Sequence, residues 1–199
     1  DSSALHEQLV EDVISSAFGS AGQRCSALRI LYVQDDIGDD VIKMLKGAMA
    51  ELSLDDPMLL STDIGPVIDE SARDELVAHA QRMSVEGELI AKVATTDQCE
   101  KGSFFAPCAY LLKDASILQR EVFGPILHVV RYKQDALDDV LNQINAFGYG
   151  LTFGVHSRIA DTVNKIIDRV EVGNVYVNRN TVGAVVGVQP FGGCKLSGT

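Results

Sequence analysis

The chain has 199 residues, a formal net charge of −11 at neutral pH, 46% hydrophobic residues and 23% charged residues. That length suffices for one domain with a sizeable core, and the balance is that of a soluble globular protein. The negative charge argues against a nucleic-acid surface, because phosphates would be repelled, and no apolar run approaches the ~20 residues needed to span a bilayer. The opening Asp1-Ser2-Ser3 carries no basic start, and Glu7 and Glu11 follow early, so no signal peptide is expected. A first residue other than Met sets the expectation of a piece of a longer polypeptide. The four cysteines, Cys25, Cys99, Cys108 and Cys194, are scattered in neither a disulfide nor a zinc pattern. A reducing cytoplasm is the expected compartment.

Taken in chain order, Leu5, Leu9, Val13 and Phe18 lie close to helical spacing, which predicts a helix to about Phe18 with Ser2 or Ser3 as its cap. Gly19 and Gly22 break it. Ala27–Val33 is a continuous apolar run of strand length. A helix is predicted over Asp39–Leu52, Asp56-Pro57 and Gly65-Pro66 mark a loop, and Glu70–Val85 reads as another helix. Extended runs follow at Glu88–Val93, Phe104–Leu112, Ile126–Tyr132, Leu151–His156 and Asn174–Asn178. Helical stretches at Ala136–Ala146 and Ile159–Val170 lie between the last three. Strands alternating with helices predict a three-layer α/β domain whose mostly parallel sheet is covered by helices. Most strands are apolar throughout, as strands covered on both faces should be; Glu88–Val93, with polar residues, is placed at an edge.

Chemistry concentrates at Phe18-Gly-Ser-Ala-Gly-Gln-Arg-Cys25-Ser-Ala-Leu-Arg29. A helix ends, small residues follow, one thiol appears and a buried strand begins. Small neighbours leave room for a carbonyl to approach the sulfur, and local backbone N–H groups can face a developing oxyanion. Arg24 and Arg29 bring positive charge that would favour thiolate if either points inward. A lone cysteine is, however, often a buried structural residue, and composition alone does not separate the two readings.

Gly22-Gln23-Arg24-Cys25, with Phe18 before it and Ser26-Ala27 after, resembles the active-site signature of the aldehyde dehydrogenase superfamily. In order along the chain, Glu121-Val-Phe123-Gly-Pro125 looks like that family's cofactor-contacting motif. Asn145 with Tyr149-Gly150-Leu151, and Pro190-Phe191-Gly192-Gly193 with Ser197-Gly198, look like its later motifs. The resemblance implies that Cys25 is the nucleophile and that its N–H lines an oxyanion hole. It further implies that Glu121 hydrogen-bonds the nicotinamide ribose of NAD (or NADP) and that Phe123 steadies the ring.

The stretch Tyr176–Phe191 is similar to the Δ1-pyrroline-5-carboxylate dehydrogenase domain of bacterial proline utilization A proteins, which take proline to glutamate. That likeness implies glutamate γ-semialdehyde as substrate. Ser26, Gly183 and Ala184 occupy positions that hold its α-carboxylate, and Phe18 and Phe191 would pack near its methylenes, unless either is simply core. A hydroxyl and backbone N–H groups can bind a carboxylate without a full counter-charge. Oxidation would pass through a cysteine thiohemiacetal and thioester, with no metal.

The family's dinucleotide-binding domain, activating glutamate and oxyanion-hole asparagine all lie before the region matched here, and a further C-terminal segment lies after it. The 199 residues alone are therefore expected to be a cysteine-bearing domain with little or no turnover. Pairing of copies through this domain, and peripheral membrane association of the whole polypeptide, are further implications. Lys195 stands where relatives often carry glycine, which puts the local loop geometry in doubt. His6, His79, His128 and His156 are far apart in sequence and suggest no metal site. Cys99, Cys108 and Cys194 read as structural, and Asp35-Asp36 and Asp39-Asp40 as solvated helix-start carboxylates. The competing readings are a dehydrogenase for another semialdehyde and a noncatalytic assembly module of the same fold.

Overall fold

In the computed structural model, which describes residues 1–185 and 187–198, helix α1 spans His6–Phe18 and buries Leu9, Val10, Val13, Ala17 and Phe18 along one stripe. The expected serine cap is not made. Leu5 is the N-cap residue and contributes no side-chain bond, while Ser3 Oγ donates to Asp1 Oδ1 at 2.6 Å and accepts from the Arg158 N–H at 2.8 Å. The charged carboxylate of Asp1 is the stronger acceptor and takes the hydroxyl away from the helix.

Strand β1 is Ile30–Gln34, starting later than Ala27 because the preceding residues form a turn in which the Ala27 N–H donates to Arg24 O at 3.1 Å. Helix α2 covers Asp35–Ala50 and begins at Asp35 rather than Asp39. Asp35 and Asp36 occupy its first turn, where carboxylates favour the positive end of the helix dipole. Gly38 is accommodated inside it because the Arg131 guanidinium covers that position, at 2.7 Å from where a Cβ would stand. Helix α3, Glu70–Glu86, matches its prediction and is capped by Asp69, whose side chain accepts from the Ala72 N–H at 2.8 Å.

β2 (Glu88–Lys92), β3 (Cys108–Leu112) and β4 (Ile126–Tyr132) complete a four-stranded sheet in the order β1-β4-β3-β2. β4 pairs in parallel with both β1 and β3, and β2 is antiparallel at the edge that its polar residues predict. Alternation along β4 shows how the sheet is covered. Arg131 reaches Asp35 and Asp39 of α2, whereas His128, an odd number of residues away, reaches His79 of α3. Helices therefore lie on opposite faces of β4, as a three-layer arrangement requires. Leu127, Val129 and Ile126, at 1% exposure or less, sit at the centre of the main core.

The rest of the chain departs from one continuous sheet. Helix α4 (Leu137–Ala146), strands β5 (Tyr149–Gly150) and β6 (Thr152–Val155), helix α5 (Ala160–Ile167), and strands β7 (Asn174–Val177) and β8 (Cys194–Lys195) follow. β6 and β7 form a separate parallel pair, and β5 and β8 an antiparallel one. Leu141, Val155 and Ile166 make a second, smaller core. A cavity of about 310 Å³, lined by β1 on one side and by β6 and α4 on the other, separates the two parts. Among the described residues, no helix is long and apolar enough to cross a membrane.

Candidate active site

Helix α1 ends against a turn, Gly19–Gly22, in which Ser20, Ala21 and Gly22 all have positive φ (56°, 52° and 63°). L-residues avoid this region, at a cost of about 1–2 kcal/mol each, so the turn is strained where it delivers Cys25. Gly22 has a second reason to be glycine: a Cβ there would stand 2.4 Å from Gly124 O. The turn thus brings the Cys25 segment onto the Glu121–Pro125 segment, about a hundred residues away in the chain.

Cys25 is exposed and lines the cavity between the two parts together with Glu121. Among the described residues no protein acceptor takes its N–H, which leaves that donor for an incoming oxygen. Cys108 is the opposite case: buried on β3, its thiol is pushed up to about 12 by desolvation, so it stays protonated and inert. Cys99 and Cys194 are half-buried and lie within 3.6 Å and 3.0 Å of the Leu54 and Glu171 carbonyls.

Glu121 lies in a loop and its partner is Arg29, while the adjacent Arg120 sits 3.7 Å from Glu75. Arg29 Nε donates to Glu121 Oε1 at 3.0 Å, and the guanidinium carbon lies 4.6 Å from the Phe123 ring centre. Burial pushes the Arg29 pKa down, and the Glu121 carboxylate pulls it back up. Phe123 keeps 47% of its surface exposed. Sequence reasoning had Arg29 only as nearby charge; its contacts with both segments depend on the fold.

The remaining motif segments join the same site. Tyr149 OH accepts from the Glu121 N–H at 3.3 Å, Ser197 Oγ accepts from the Gly150 N–H at 3.2 Å, and the Leu196 N–H donates to Gly148 O at 2.9 Å. Lys195, placed where relatives often have glycine, does adopt the left-handed region, with φ 57°. Its ammonium holds Glu171 Oε2 at 2.6 Å and Asn145 O at 2.7 Å, anchoring a strained backbone from outside.

Of the expected substrate-side residues, Ser26 is buried beside Cys25, and its carbonyl accepts from Thr181 Oγ1 at 2.8 Å. That bond ties the residues just before Gly183-Ala184 to the Cys25 segment. Phe191 is exposed. Phe18, by contrast, is 1% exposed within the main core, so here it is the core alternative that describes it.

The histidines are not all apart in space. His79 Nε2 and His128 Nε2 are 2.9 Å from each other, and His128 Nδ1 is 2.9 Å from Arg29 O. Burial lowers both imidazoles from the ordinary 6.5 to about 4, so the pair is neutral near pH 7, with His128 Nδ1–H donating to the carbonyl. No sequence signal links residues 79 and 128. Among the described residues no group of three or more His, Cys, Asp or Glu side chains is arranged to hold a metal ion.

The sequence model of the aldehyde dehydrogenase family matches residues 2–199. The chain belongs to the aldehyde dehydrogenase family. It is 54% identical to the bifunctional protein PutA of Escherichia coli K12 over its whole length, while covering 16% of that protein. A crystal structure of bifunctional proline utilization A superposes with a TM-score of 0.96 at 55% identity, covering all of this chain and 20% of that one. A Thermus 1-pyrroline-5-carboxylate dehydrogenase with bound NAD superposes at a TM-score of 0.88 and 35% identity, covering 99% of this chain and 38% of that one. This aldehyde dehydrogenase chain thus spans between a sixth and two fifths of these relatives.

Proposed function

We propose that this chain is the cysteine-bearing catalytic domain of an NAD(P)-dependent glutamate γ-semialdehyde (Δ1-pyrroline-5-carboxylate) dehydrogenase of proline catabolism, acting in the bacterial cytoplasm. The dinucleotide-binding domain is contributed by the rest of the polypeptide. The observation that carries this reading is the convergence of the nucleophile, Glu121, Tyr149 and Ser197 segments, far apart in sequence, into one hydrogen-bonded site around an exposed thiol. The relatives supply the substrate: PutA and 1-pyrroline-5-carboxylate dehydrogenase are what the chain resembles along its full length.

The chemistry follows from the residues. Cys25 thiolate attacks the aldehyde carbon, and its own N–H stabilises the oxyanion that forms. The open cavity wall admits the carbonyl, and the small residues before Cys25 leave the sulfur accessible. Glu121 and the exposed Phe123 ring suit a nicotinamide riboside: the carboxylate accepts from ribose hydroxyls, and the ring offers an apolar face. NAD, if bound beside Glu121 and Phe123, would supply the acceptor for the hydride lost from the thiohemiacetal. Cys25 then carries the thioester, which water hydrolyses to glutamate. Ser26 and the Gly183-Ala184 loop, tethered by Thr181, hold the substrate α-carboxylate, and Phe191 packs along its methylenes.

Comparing oxidation of glutamate semialdehyde with that of unsubstituted alkanals by the intact parent enzyme tests the reading. A kcat/KM at least about a hundred-fold higher for the semialdehyde supports it, since a site built for a carboxylate discriminates by several kcal/mol. Equal rates would point to a different aldehyde. The isolated 199 residues are expected to turn over little or none.

A further inference from the structure

The guanidinium of Arg29 touches both halves of the site at once. On the nucleophile side, Nη1 donates to Gly22 O at 2.6 Å and Nη2 to Arg24 O at 3.2 Å. On the other side, Nε donates to Glu121 Oε1 at 3.0 Å, Nη1 also reaches Gly124 O at 3.2 Å, and the plane lies over Phe123. The side chain is only 16% exposed, so these acceptors depend on it rather than on water. A planar fork of donors can serve acceptors in several directions from one point; a lysine ammonium cannot reproduce that geometry.

The backbone that launches the side chain is fixed as well. Arg29 O accepts from both the N–H and the Nδ1–H of His128, and His79 holds the far side of that ring. The guanidinium is therefore aimed by the sheet before any ligand arrives.

We propose that Arg29 is a positioning residue that locks the Cys25 loop to the cofactor-contacting pair Glu121 and Phe123, setting the distance between sulfur and nicotinamide. The proposal rests on the reading of Glu121 and Phe123 as cofactor contacts. In this role Arg29 acts through Glu121 and the Cys25 loop. It holds Glu121 at one carboxylate oxygen and leaves the other for ribose, and it fixes the carbonyls that shape the turn before Cys25.

A double-mutant cycle in the intact parent enzyme tests this, with Arg29→Lys, Glu121→Gln and the pair combined. Arg29→Lys keeps the charge and loses the fork. The expected result is a KM for NAD raised about five- to ten-fold in each single variant, with less than about a two-fold further rise in the combination, as coupled neighbours show. Alkylation of Cys25 by iodoacetamide without cofactor is expected to slow in Arg29→Lys and to be unchanged in Glu121→Gln. A KM for NAD unchanged in Glu121→Gln overturns the cofactor reading, and the proposal with it. A raised KM there combined with independent, multiplying effects overturns the proposal alone. If Arg29→Lys does not fold, Arg29→Ala assayed with added guanidinium ion takes its place. Partial recovery of the KM supports positioning, and no recovery in a folded variant overturns it.

Discussion

The two parts of the molecule differ in how much they bury. The four-stranded sheet with α1, α2 and α3 encloses a large continuous core, while β5 to β8 with α4 and α5 are built around a small cluster of Leu141, Val155 and Ile166. The proposed chemistry lies at the junction. Cys25 and Glu121 extend from the large part, and the Gly183, Phe191 and Ser197 segments belong to the small one. Under the proposed function the contrast teaches a division of labour: a rigid sheet would set Cys25 and Glu121, and a lightly packed part would present the loops that accommodate substrate.

The first way to sharpen that comparison is to remove core volume from each part. Leu127, with 0% exposure in the large core, is expected to cost about 3–5 kcal/mol on Leu127→Ala, and Ile166→Ala in the small cluster about 2 kcal/mol. Denaturant unfolding of the two variants measures the difference; equal losses would break the contrast.

At the junction, Gly22→Ala is the sharpest local test. Its positive φ and the 2.4 Å approach to Gly124 O leave no place for a methyl group. A stability loss of about 1–3 kcal/mol is expected, with a drop of about a hundred-fold in kcat/KM of the intact enzyme, because the Cys25 loop must lift away from the Glu121 segment.

Much of this was legible in the sequence. α3, β4 and the edge position of β2 follow from apolar spacing and from polar residues in Glu88–Val93. Cys25, Glu121 and Phe123 are singled out by the resemblance of their short segments to the family's motifs, since composition and spacing alone do not separate a nucleophile from a structural cysteine. What stayed hidden depends on partners distant in sequence. The Arg29 fork, the His79–His128 contact and the capture of Ser3 by Asp1 instead of helix α1 are all decided by the fold. The split of the strands into one large and two small sheets was hidden for the same reason: periodicity shows that a strand exists, not which edge it pairs with.

Acid acts on the large part through a buried histidine pair. The His79–His128 pair is held neutral, with both values lowered from 6.5 to about 4, so the unfolded chain binds more protons in that interval. The pair's contribution is fully present above about pH 6.5 and is lost as pH drops toward 4, by on the order of several kcal/mol at most. Unfolding midpoints measured between pH 7.5 and pH 4.5 are expected to fall less steeply in His79→Gln, where one titrating ring is gone. The smallest effect belongs to the small part: Lys195→Gly relieves a positive φ but loses the Glu171 and Asn145 contacts. A change within about 1 kcal/mol is expected in thermal unfolding.

Trapping the acyl intermediate on sulfur is the most direct measurement. The intact parent enzyme is mixed with glutamate semialdehyde and NAD, quenched in acid and digested, and its peptides are weighed. The expected result is a glutamyl adduct on the peptide containing Cys25, none on that containing Cys108, and loss of both adduct and turnover in Cys25→Ala. Undiminished oxidation by Cys25→Ala, with no adduct on the wild-type peptide, would contradict the assignment of Cys25 as nucleophile.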